Sequence, residues 1–100
     1  MLVAISISPS ATDETGGVSD AVADAVRVIR ESGLPTETNA MFTNIEGEWD
    51  EVMAVVKQAV MKVAETSPRV GLVLKADIRR GHDAGEMAAK VARVEERLAN

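Results

Sequence analysis

Cysteine and tyrosine are absent from the chain, and Trp49, Phe42 and His82 are each the single residue of their kind among its 100 positions. The lack of cysteine excludes disulfides, thiolate catalysis and cysteine-ligated zinc. One histidine leaves little scope for a histidine-based metal site. Basic clusters are also missing: 11 Lys and Arg against 16 Asp and Glu give a net charge of −5, the wrong sign for a surface that neutralises phosphates, so nucleic acid is not an expected partner. An excess of this size is ordinary solubility. No basic leader accompanies the apolar start "MLVAISISPS", which is too short for a signal peptide or a membrane span, so the chain reads as cytoplasmic and free of the membrane.

What is present is aliphatic. Val, Ala, Ile, Leu and Met dominate an apolar fraction of 46%, a composition that fills thin layers of β-branched strands under helices. Residues 1–100 are enough for one domain and one modest core.

Leu2 to Ser8 alternates, with Val3, Ile5 and Ile7 on one side and Ala4, Ser6 and Ser8 on the other, the period of a half-covered strand. Pro9 ends it, and "SATDETGG" over residues 10–17 reads as a loop. From Val18, the spacing of Val22, Ala25, Val26 and Ile29 predicts an amphipathic helix that stops at Gly33 and Pro35. Thr36 to Glu46 reads as a hairpin of two short strands. A second helix is expected from about Glu48 to Glu65, with Trp49, Val52, Met53, Val56, Val60 and Val63 on its inner stripe. Glu48, Asp50 and Glu51 suit its positive end. Arg69 to Ile78 is a fourth strand. Asp83 with Glu86 has the form of a capping box before a last helix striped by Met87, Val91, Val94 and Leu98.

The order β-α-β-β-α-β plus a terminal helix is that of an α+β, ferredoxin-like sandwich: an antiparallel four-stranded sheet under two helices, with an additional C-terminal helix. One sheet face, carrying Ser6, Ser8, Val73, Lys75 and Asp77, is left uncovered and invites self-association.

The run "AVRVIRESGLPTETNAMFTNIEGEWDEVMAVVKQA", residues 25–59, and "RVGLVLKADIRR", residues 69–80, resemble the thiamine-binding protein family over roughly residues 2–80. The resemblance implies a ferredoxin-like fold and homodimers paired into tetramers. It also implies non-enzymatic binding of thiamine or its hydroxymethylpyrimidine moiety near subunit interfaces, with thiamine as ligand and no cofactor. Where the family is expected to read Asn-Pro-Met-Gly-Thr, this chain has Asn39-Ala40-Met41-Phe42-Thr43, so an aromatic ring stands where glycine would allow close backbone approach.

Thiamine joins a cationic thiazolium to an aminopyrimidine, and its site needs a carboxylate or aromatic face together with paired donors and acceptors. Asn39 offers donor and acceptor together, although asparagine in a hairpin is first a turn former. Thr43 and Ser8 each offer a hydroxyl, and Glu37 and Asp77 are candidate counter-charges. Lys75, two residues before Asp77, can pair with it. Trp49 suits the core of the second helix and, second, a ligand wall. His82 reads as a solvated loop residue. A rival reading is an acyl phosphate hydrolase, which needs an arginine and an asparagine at an anion-binding loop; "PSATDETGG" is acidic and has no arginine. Another rival is a regulatory oligomer that senses an amino acid between paired sheets.

Overall fold

A computed structural model describes residues 1–9 and 19–99. The loop read over residues 10–17 and the residue Val18 lie outside them. Four strands and three helices follow in the order β1 (Leu2–Pro9), α1 (Ser19–Arg30), β2 (Thr36–Thr38), β3 (Thr43–Glu46), α2 (Trp49–Ala64), β4 (Val70–Asp77) and α3 (Glu86–Leu98). The sheet order is β2-β3-β1-β4, and every neighbouring pair is antiparallel. This is the ferredoxin-like α+β arrangement with one helix added.

The central strand β1 sets the layers. Val3 and Ile5, at 0% and 2% exposure, point to the helical side and meet Ala25 and Ile29 of α1, Ile45 of β3 and Val52, Val55, Val56, Ala59 and Val63 of α2. No aromatic side chain enters this core. The hairpin's register places Thr36, Glu37 and Thr38 opposite Ile45, Asn44 and Thr43.

Trp49 is not part of that core. It is the first residue of α2 and half exposed, whereas Val52, expected on the same stripe, is fully buried. A side chain added at Gly47 would come within 3.2 Å of Val52 and 3.4 Å of Leu34, so glycine is what lets strand β3 turn into α2 beneath these two side chains. The Glu48 carboxylate then accepts from the Glu51 amide at 3.2 Å and caps the helix.

The start of α3 also departs from the local reading. Its N-cap is Gly85, at φ +81°, and no side chain caps from that position; the left-handed backbone suits glycine. Asp83 instead accepts from the Met1 ammonium at 2.7 Å. The cap comes from 40 residues away: Glu46, 2% exposed on β3, accepts from the backbone amides of Glu86 at 2.7 Å and Met87 at 3.3 Å. A buried carboxylate needs such donors, and the positive end of α3 supplies them.

Glu46 lies opposite Leu2, on the face away from the core, so α3 begins on the otherwise open side of the sheet. Beyond that contact it meets the sheet again through Lys90, which pairs with Asp77 of β4 at 2.6 Å. None of its side chains is buried. Among the described residues, no helix is long and apolar enough to cross a membrane.

Glu46→Ala is expected to leave two partly buried N–H groups without their acceptor and to cost about 1–3 kcal/mol, a fall of about 4–8 °C in Tm for each kcal/mol. Glu46→Gln, which keeps one acceptor oxygen, loses less. Thermal unfolding, with faster hydrogen exchange at the Glu86 and Met87 amides, checks both.

Candidate functional site

The loop between β2 and β3 is held by Asn39. Its Oδ1 accepts from the amides of Met41 and Phe42, each at 2.9 Å, and its own amide donates to the Phe42 carbonyl at 2.9 Å. This is an asparagine turn, and it leaves the side-chain NH2 as a donor with no acceptor among the described residues. Below the loop, the Thr38 and Thr43 hydroxyls lie 3.3 Å apart. Thr43 is buried.

A cavity of about 140 Å³ opens beneath this loop, against Ile5 and Ile7 of β1 and Val22, Ala25, Val26 and Ile29 of α1, with Thr38, Asn39 and Thr43 as polar lining residues and Phe42 beside them. A cavity of about 150 Å³ accommodates one benzene ring, so a single six-membered ring matches the space. Apolar walls with a few convergent polar groups are the usual make-up of a small-molecule site. The half-buried Phe42 adds an aromatic face for stacking. No titratable side chain lines the cavity among the described residues.

The remaining expected site residues lie elsewhere. Ser8 is exposed near the end of β1, opposite Gly71. Glu37 is exposed on β2, and Trp49 lines neither hollow described here. Asp77 borders a second hollow, of about 180 Å³, on the other face of the sheet, with Leu2, Ala4, Asn44, Lys75 and Lys90. The structure thus brings Asn39 and Thr43 together and separates them from the two carboxylates.

Asp77 pairs with Lys90 of α3 at 2.6 Å, rather than with its strand neighbour Lys75. The Lys90 hydrogen bond, followed by its charge, holds the Asp77 carboxyl below the usual value. Glu86 is likewise held low, first by its bond to Arg93 at 3.1 Å. His82 is not simply solvated, since its Nδ1 lies 3.2 Å from a Glu86 oxygen.

The profile of a family described as thiamine-binding protein matches residues 3–95. The chain belongs to this family. The match continues past residue 80, where the local resemblance fades, and takes in most of α3. A UPF0045 protein of Mycobacterium bovis is 53% identical over 100 residues, covering 98% of this chain and 94% of that one. The crystal structure of a hypothetical protein from Methanocaldococcus jannaschii superposes with a TM-score of 0.77 at 33% identity, over 91% of this chain and 93% of that one. A Thermotoga maritima protein whose name links it to thiamine biosynthesis or salvage shares the fold, with a TM-score of 0.75 at 24% identity, over 91% of this chain and 96% of that one.

Local reading of the sequence missed the contribution of α1, whose Val22, Ala25, Val26 and Ile29 wall the cavity, and that of Lys90. The first signal was present as helical periodicity, but periodicity does not separate a residue that fills the core from one that borders a hollow. The pairing of Lys90 with Asp77 spans 13 residues and has no local signature.

Two outcomes follow from these contacts. Asn39→Ala removes the acceptor that orders the loop, so the Met41 and Phe42 amides exchange faster with solvent, whereas Asn39→Asp keeps it and leaves them protected; amide exchange by NMR distinguishes the two. Because the Asp77 carboxyl is held low in the folded chain, its pairing stabilises the fold fully above the ordinary aspartate value of about 3.9 and is lost as pH falls below it. Lys90→Gln is expected to raise the Asp77 titration midpoint, read from the side-chain carboxyl carbon, and to reduce that pH dependence, the charges of Arg79 and Lys75 retaining the rest.

Proposed function

We propose that this protein binds thiamine, or its hydroxymethylpyrimidine moiety, without catalysis, as a carrier, buffer or sensor. The pyrimidine enters the hollow beneath the 39–42 loop. The observation that carries this reading is the match in size and lining: a cavity for one flat ring, ending in the Asn39 amide and the Thr43 hydroxyl, in a chain of the thiamine-binding protein family. The asparagine NH2 donates to a ring nitrogen, the threonine hydroxyl pairs with the exocyclic amine, and Phe42 stacks on the ring face. In this chain Phe42 supplies the close contact that backbone would supply were the position glycine. Thiamine is then ligand and not cofactor.

The same reading includes a homo-oligomer, a dimer of dimers in the cytoplasm. Two separate surfaces support it. Strand β4 is an eight-residue sheet edge with Leu72 and Val73 exposed, and such edges pair. Helix α3 exposes Val91, Val94 and Leu98 at 56%, 57% and 74%, an apolar stripe that a 13-residue helix needs to cover to be stable in water. Two different self-complementary surfaces generate a dimer of dimers.

Calorimetric titration with thiamine and with hydroxymethylpyrimidine tests the site. Saturable binding is expected, and Thr43→Val, which keeps the shape and removes the hydroxyl, is expected to weaken it about tenfold, or about 1.4 kcal/mol. Asn39→Asp, which keeps the turn and removes the donor, is expected to weaken it similarly. Absence of heat and of thermal stabilisation at millimolar concentrations of both ligands ends this reading.

A further inference from the structure

We propose that the hollow on the open face of the sheet is a second ligand site, for a small organic carboxylate. The inference is independent of the thiamine reading, because the two hollows lie on opposite faces of β1.

The floor is made by alternation. Leu2 and Ala4 point away from the core, and Ala4 sits in the central strand directly between Asn44 of β3 and Lys75 of β4. A one-carbon side chain flanked by two long ones leaves a depression, and Lys90, reaching from α3 to Asp77, closes one side of it. The resulting space is about 180 Å³.

Its charge runs against that of the molecule. In a chain of net charge −5, this hollow is bordered by two lysines and one aspartate. Asp77 neutralises Lys90 at 2.6 Å. Lys75 is exposed and makes no ion pair with a described residue. The nearest acidic side chain in its own cross-strand row, Glu37, stands at the far end, three strand spacings or about 14 Å away. The border therefore carries a net single positive charge, with Asp77 bonded to Lys90 and interacting at longer range with Lys75, and it faces an apolar floor with the Asn44 amide opposite as a further donor.

These features select the ligand. One positive charge balances a monoanion, and the Asn44 NH2 can donate to the second oxygen of a carboxylate that pairs with Lys75. The aliphatic part then covers Leu2 and Ala4. A phosphate dianion is disfavoured, since the hollow holds no cradle of backbone amides and the nearby start of α3 is already occupied by Glu46.

The test is an amide NMR titration of the full chain with sodium butyrate, with n-butanol and inorganic phosphate run separately at matched ionic strength. Butyrate is expected to give saturable shifts at Ala4, Asn44, Lys75 and Lys90, weakened about tenfold by Lys75→Gln and abolished by Ala4→Leu, which fills the floor. Lys75→Gln alters only an exposed side chain, so the proposal remains testable if Ala4→Leu perturbs folding. Thiamine binding by Lys75→Gln is expected to be unchanged, so that failure at one site is distinguishable from failure at the other. No saturable response to butyrate, an equal response to n-butanol, or a stronger response to phosphate overturns the proposal.

Discussion

The two-residue alternation of β1 is the constraint on which the molecule depends. Because β1 is the central strand, bonded to β3 on one side and β4 on the other, its pleat decides what each layer contains. Val3 and Ile5 commit one face to the helices and to the apolar floor of the loop cavity. Leu2 and Ala4 commit the other to a surface with a depression in it. A slip of one residue in register would exchange the two faces and abolish both hollows.

The second organising contact is the burial of Glu46. A carboxylate on the face opposite the core is unremarkable in a strand until α3 covers it, and its cost is then offset by two amide donors at the helix start. The same contact directs α3 along the sheet and allows Lys90 to meet Asp77. One buried acid thus joins a hairpin strand to a terminal helix and shapes the lysine-bordered hollow. The exposed stripe of Val91, Val94 and Leu98 lies farther along α3, past these two contacts.

Small side chains give this protein its room. With a core of valine, isoleucine, alanine and methionine and no aromatic residue in it, the space beneath the 39–42 loop is not filled by a large ring from within. Phe42, the chain's one phenylalanine, stands at its edge instead. The Asn39 turn closes the loop above this space, so the residue that shapes the loop also lines the cavity.

Much of the fold was legible along the chain. The period of two in β1, the helical stripes, the Gly33 stop and the proline boundaries are local, and they produced the correct order of elements and the correct sheet. The asparagine turn was legible for the same reason, since it is closed within four residues. Trp49 was misplaced because its spacing fits the α2 stripe, while its position at the helix start leaves Val52 to make the contact with Gly47 and Leu34. The Asp83 capping box had the right letters, but Asp83 turned instead to Met1 and the acid that caps α3 came from β3. The sequence by itself therefore determined the elements, their faces and the family. Tertiary structure alone decided which side chains meet across 40 residues, and hence where the hollows lie and what borders them, because those contacts depend on strand order and helix docking rather than on any repeat that neighbouring residues share.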